Sequence, residues 1–152
     1  MRRRSVLAAL SLAFAGCAGA GTGGSGSSTP STSSDSPTVT DRSLTPGEST
    51  CATGETGTAS VAFEEDAVRV TGTLVTPTPC HGAELRSATY DRAANELRVV
   101  VGPSAPTTDA CVQCLGAREY AATVRFEGGL PGRVVVVHAG SDGERTVATA
   151  TL

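Results

Sequence analysis

The sequence predicts an all-β domain over residues 51–152, folded as an antiparallel sandwich of about seven short strands. Three observations carry this expectation. Apolar residues alternate with polar ones at a period of two. Turn-forming clusters recur between those runs. No stretch spaces its apolar residues for an amphipathic helix.

The elements can be taken in order. Ala59 to Phe63 is a short first candidate. Val68, Val70, Gly72 and Leu74 alternate with Arg69, Thr71 and Thr73 to make the second. Glu84 to Tyr90 is a third, and Leu97, Val99 and Val101 between Glu96 and Arg98 mark a fourth. Tyr120, Ala122, Val124 and Phe126 alternate with Ala121, Thr123 and Arg125. Val134 to Val137 is a continuous apolar run ending at His138, and Val147, Thr149 and Thr151 suggest a last strand. Between them, Glu64-Glu65-Asp66 and Asp91 to Asn95 read as hairpin loops, while Gly128 to Gly132 and Gly140 to Gly143 are stronger breakers. An immunoglobulin-like arrangement is one form such a sandwich takes. The chain has no Trp to supply the buried tryptophan of antibody domains, so the expectation stops at the general architecture.

Four cysteines fall in this domain: Cys51, Cys80, Cys111 and Cys114. An even number in an exported domain reads as two disulfides, for which three pairings exist. The favoured frameworks join Cys51 and Cys80 each to one member of the Cys111/Cys114 pair. Which goes with which is open, and Cys80–Cys111 with Cys51–Cys114 is the choice taken. Two functional alternatives use the same residues. Cys111-Val112-Gln113-Cys114 has the C-x-x-C spacing of thiol oxidoreductases, but those sites open a helix and these flanks read as strand and loop. Cys80, His81, Cys111 and Cys114 could also hold a tetrahedral zinc, against competition from oxidation.

Other chemistries find little support. The two histidines, His81 and His138, read as a loop residue and a strand-end residue. A blue-copper site needs two His, a Cys and usually an axial Met, and the only Met is the initiator. There is no G-x-S-x-G, and no Gly-rich loop opens a helix. No catalytic residue and no cofactor are therefore expected.

The first fifty residues specify an address. Arg2, Arg3 and Arg4 precede an apolar stretch from Val6 to Ala15, then Gly16 and Cys17. This is the layout of a secretory signal over residues 1–16, too short to span a bilayer. Residues 18–50 are dominated by Gly, Ser, Thr and Pro, with only Val39 and Leu44 large and apolar. Residues 17–50 are thus expected to be a flexible tether, with a reach of roughly 30 Å for a chain of this length. All twelve basic residues are arginines. Without residues 1–16, nine remain against fifteen acids, a net charge of −6. That balance disfavours nucleic acid as a partner.

Arg3-Arg4-Ser5-Val6-Leu7 resembles a twin-arginine export signal, and Phe14-Ala15-Gly16-Cys17 resembles a lipobox, with Phe14 where Leu is commoner. Together with the tether they resemble lipoproteins of halophilic archaea. The resemblance implies lipidation of Cys17, export of a folded domain, and anchorage at the outer face of the cytoplasmic membrane. Pro79 to Leu85 and Cys111 to Gly116, followed by Glu119-Tyr120, resemble a group of archaeal exported proteins, which implies a shared cysteine framework and no activity. The expected function is a non-catalytic, membrane-anchored surface protein with a binding or cell-envelope role. The alternative is an extracytoplasmic thiol or metal protein built on Cys80, His81, Cys111 and Cys114.

Overall fold

The structure is a computed structural model that describes residues 36–54 and 57–152. The expected signal segment, Cys17 and the tether up to residue 35 lie outside the described residues. Eight strands follow one another: β1 (Thr38–Cys51), β2 (Thr58–Phe63), β3 (Ala67–Thr76), β4 (His81–Asp91), β5 (Glu96–Pro106), β6 (Gly116–Glu127), β7 (Arg133–Gly140) and β8 (Gly143–Thr151). There is no helix among the described residues. The seven strands expected from the alternating pattern are β2 to β8.

The strands form two four-stranded sheets, ordered β1-β6-β3-β2 and β4-β5-β7-β8. The first is antiparallel throughout. In the second, β5 and β7 run parallel, with Glu96 opposite Arg133 and Val101 opposite His138. This pair departs from the expected antiparallel sandwich and from immunoglobulin sheets, which are antiparallel. Its cause is topological. After β5 the chain leaves for the other sheet as β6, then returns as β7, and two reversals restore its direction.

The core lies between the sheets. Val68, Val70 and Leu74 of β3 and Tyr120, Ala122, Val124 and Phe126 of β6 meet Leu97, Val99 and Val101 of β5 and Val134 and Val136 of β7. These residues share one parity on each strand, as a pleated strand with a single buried face requires. The unbroken run Val134 to Val137 has a separate explanation. Val135 and Val137 point to the other face of the second sheet, where they pack with Val100 and Ala139. β5 and β7 are the central strands of that sheet, so on its outer face these side chains are flanked by one another and shield each other from solvent.

One boundary differs from the expectation. Residues 38–50 fall within the expected tether, yet they form most of β1, paired along its length with β6 from Thr38–Glu127 to Cys51–Gly116. The two apolar residues of that segment, Val39 and Leu44, pack against the core. Arg42 Nε donates to Ala88 O of β4 at 2.8 Å, which ties β1 to the opposite sheet. Composition alone misses such a strand. An edge strand buries little, its backbone is satisfied by its neighbour, and the bulges at Val39/Asp41 and Pro46/Ser49 break its period of two.

Candidate functional site

The pairing registers fix which loops share an end of the sandwich. At one end lie Cys51, the start of β2, the β3–β4 loop, residues 107–115, and the β7–β8 turn. Thr38 and the hairpin turns at 64–66 and 91–95 lie at the other end. Every residue singled out in the sequence as a candidate for chemistry in this domain sits at the first end.

Two disulfides hold that end together. Cys51 bonds Cys114 and Cys80 bonds Cys111, with Cα separations of 5.7 and 6.0 Å. Both therefore run from a strand terminus or the β3–β4 loop to the irregular segment 107–115. The pairing is the choice taken from the sequence. Cys111 and Cys114 are each bonded to a distant cysteine and not to one another, so the C-x-x-C does not form the internal disulfide of a dithiol oxidoreductase. A zinc site needs thiolates, and bridged sulfurs offer none. No cluster of three or more His, Cys, Asp or Glu side chains placed to hold a metal occurs among the described residues.

His81 is built into the β3–β4 loop. Its Nδ1 lies 2.9 Å from Thr78 Oγ1. Its carbonyl accepts from Arg118 Nε at 3.0 Å, and the other two nitrogens of that guanidinium donate to Gly47 O at 2.8 Å and Pro79 O at 3.1 Å. Arg118 thus gathers β1, the disulfide-bearing loop and the start of β4 with charge-assisted hydrogen bonds. No sequence pattern signals this role, because the guanidinium binds backbone carbonyls, which any residue carries.

A cleft of about 630 Å³ opens at the same end, between the two sheets. Leu74, Val75, Pro77, Pro103 and Leu115 make an apolar wall. The β7–β8 turn, with Ser141, Asp142 and Arg145, makes a polar one, and His138 contributes to the lining. Leu115 is 60% exposed and Val112, in the same disulfide-held segment, is 62% exposed. Single exposed apolar residues are ordinary. Here one of them borders a concave surface that combines an apolar wall with a few polar groups, the usual character of a small-molecule site.

His138 is not merely a strand-end residue. It shares the inward parity of Val134 and Val136, and it is 7% exposed. Its Nε2 lies 2.8 Å from the Tyr120 hydroxyl. Burial lowers its pKa to about 4 and raises that of Tyr120. The imidazole is therefore neutral at pH 7. The parity of the Val-rich run was the signal that could have placed it inside. No family model matches the chain, and neither a curated protein nor a solved structure matches it.

Proposed function

We propose that this chain is a non-catalytic surface lipoprotein: a signal over residues 1–16, a lipid on Cys17, a short tether, and a disulfide-stapled β-sandwich that binds a ligand or envelope component. The observation that carries the reading is the polarity of the sandwich. The chain enters at the Thr38 end, while the disulfides and the cleft lie at the opposite end. β1 has fourteen residues, which at about 3.3 Å each separates the two ends by roughly 45 Å. A tether joined at Thr38 would hold the cleft end outward, away from the membrane. The tether in this reading covers residues 17–37, shorter than composition suggested. Two disulfides agree with an oxidising compartment outside the cytoplasm. Neutral His138 sits beside a hydroxyl that burial keeps protonated, with no carboxylate hydrogen-bonded to it among the described residues to orient it in the manner of a triad, and this favours binding over catalysis.

Detergent phase partitioning of the protein and of Cys17→Ser tests the anchor. The native chain should enter the detergent phase and the variant the aqueous phase; equal partitioning sinks the lipoprotein reading. Changing Arg3 and Arg4 together to Lys keeps the charge of the leader and should block export by the twin-arginine route. Undiminished surface display of that variant would remove the route from the proposal.

A further inference from the structure

The cleft at the disulfide-bearing end holds two hydrogen-bond donors that no described residue uses. The first belongs to His138. Its Nε2 is taken by the Tyr120 hydroxyl, and its Nδ1 bonds no described residue. Among the described residues, Ser49 Oγ is the one fully buried side-chain polar atom without a partner. Nδ1 therefore keeps contact with the open space that His138 lines. Gly57 leaves the nitrogen uncovered, since a Cβ there would lie 2.9 Å from it.

The proton of this imidazole can be placed. The ring is neutral, so one nitrogen donates and the other accepts. Tyr120 keeps its own hydroxyl proton, and Nε2 is its hydrogen-bond partner among the described residues. If Nε2 carried the imidazole proton, the hydroxyl hydrogen would be buried without an acceptor, which is the costlier arrangement. Nε2 therefore accepts, and Nδ1–H is a donor at the cleft.

The second donor is Arg145. It stands directly opposite His138 in the β7–β8 pair. Directly opposite residues project from the same face of a sheet, with Cβ atoms about 4.5–5.5 Å apart. His138 faces the interior, so Arg145 leaves β8 on that side, and both line the cleft. Glu144 leaves on the other face, where it pairs with Arg98. It does not neutralise Arg145, whose guanidinium has no ion pair among the described residues. Asp142, at the tip of the turn, is the remaining charged side chain of the lining.

From these positions we infer that the cleft takes a small apolar carboxylic acid, with its carboxylate on His138 Nδ1–H and the Arg145 guanidinium and its hydrocarbon body against Leu74, Pro77, Pro103 and Leu115. The inference rests on the binding role proposed above and gives it a ligand class. A carboxylate only accepts, at two oxygens, and so suits two neighbouring donors of which one is charged. An ammonium group would meet a donor at both. The apolar wall supplies the burial that such a ligand needs.

Titration of the full chain, carrying isotope-labelled histidine, tests it by nitrogen NMR at neutral pH. His81 and His138 are the only histidines, so each reports separately. Free His138 should be the Nδ1–H tautomer. Isocaproate should shift its Nδ1 resonance saturably and leave His81 unmoved. Isoamylamine and isoamyl alcohol share the hydrocarbon body of isocaproate, and acetate lacks it; each should bind about ten-fold more weakly or worse. Arg145→Gln should weaken isocaproate about ten-fold, as loss of a charge-assisted hydrogen bond requires. Its melting midpoint should stay at the wild-type value, because Arg145 has no ion pair to lose. Tighter binding of the amine or the alcohol, acetate equal to isocaproate, or an Arg145→Gln variant that binds like the wild type would overturn the ligand class and leave the cleft a binding site. An Nε2–H tautomer in the free protein would overturn it too. No saturable shift from any of these compounds would overturn it together with the binding role of the cleft. None of these outcomes depends on a lipid at Cys17, which phase partitioning decides separately.

Discussion

Tyr120 and His138 join the two sheets through a polar contact inside the core: the hydroxyl of one lies 2.8 Å from Nε2 of the other, and their rings meet edge-on at 71°. Tyr120 belongs to β6 of the first sheet and His138 to β7 of the second. Around them the core is valine, leucine and alanine, which fill space without fixing one arrangement. A buried hydroxyl and imidazole that need each other do fix one, because sliding either sheet would leave both unsatisfied. The pair also borders the cleft, so the register of the sheets and the shape of the cleft depend on the same contact.

That contact predicts a pH dependence of definite sign. The folded pKa of His138 is about 4, below the ordinary value of 6.5. Between those values the unfolded chain binds a proton that the folded chain does not. The contribution of His138 to stability is therefore full above pH 6.5 and is lost as pH falls through 4, by on the order of 3 kcal/mol. Denaturant unfolding of the wild type and of His138→Gln, at neutral pH and near pH 4, separates this from the titration of carboxylates. The stability gap between the two should narrow by that amount at the lower pH. A gap that stays constant would mean that His138 titrates normally.

Gly72 should be the least replaceable position beside this pair. A Cβ there would lie 2.3 Å from Thr58 O and 2.7 Å from the Tyr120 oxygen. Either β2 must separate from β3 or Tyr120 must leave His138. Gly72→Ala is expected to cost about 3 kcal/mol, in the range for overpacking a filled site. Gly140→Ala serves as the comparison, since nothing lies within 4 Å of its added carbon. Matched melting midpoints for the two variants would contradict the crowding argument.

The sequence made most of this fold legible because β3, β5 and β6 each bury one face, and burial of one face writes a period of two. It was silent where that condition fails. β1 buries only Val39 and Leu44 among its large side chains, so thirteen polar-rich residues of strand read as tether. Tether and strand differ here in what the β6 backbone offers, which is not encoded in β1 itself. The parallel β5–β7 pair was invisible because alternation reports burial and not direction. The cysteine end was readable in kind, since an even number of cysteines in a small β domain has few uses. The cleft was not, because it is assembled from β3, the β5 end, Leu115 and the β7–β8 turn, far apart in sequence.

The disulfides give a third prediction, which also separates staple from redox or metal site. Cys51–Cys114 spans 63 residues and Cys80–Cys111 spans 31. By the loop-entropy relation each contributes about 4 kcal/mol. Replacing Cys80 and Cys111 together by Ala should remove about that much in denaturant unfolding, and reductant should lower the wild-type melting midpoint strongly. Chelator should change nothing. His81→Ala loses only the contact with Thr78 Oγ1, at a cost of about 1 kcal/mol. Indifference to reductant combined with unfolding by chelator would instead favour a metal held by Cys80, His81, Cys111 and Cys114.

The last prediction concerns where the folded domain begins. Two chains should be compared, one starting at Ser36 and one at Thr50. The first keeps β1 and should melt with the same midpoint as a chain that starts at residue 17. The second keeps Cys51 and its disulfide but loses most of the β1–β6 ladder, the Arg42–Ala88 contact, and the packing of Val39 and Leu44. Partial burial of those two side chains alone stabilises the fold by about 2 kcal/mol. Losing β1 also strips the bulged, proline-bearing edge from the sheet and leaves β6, a central strand, with an open side. The shorter chain should therefore be both less stable and more prone to aggregate. Circular dichroism melts with light scattering read both effects at once. Equal midpoints and equal scattering would show that residues 36–49 add nothing to the fold.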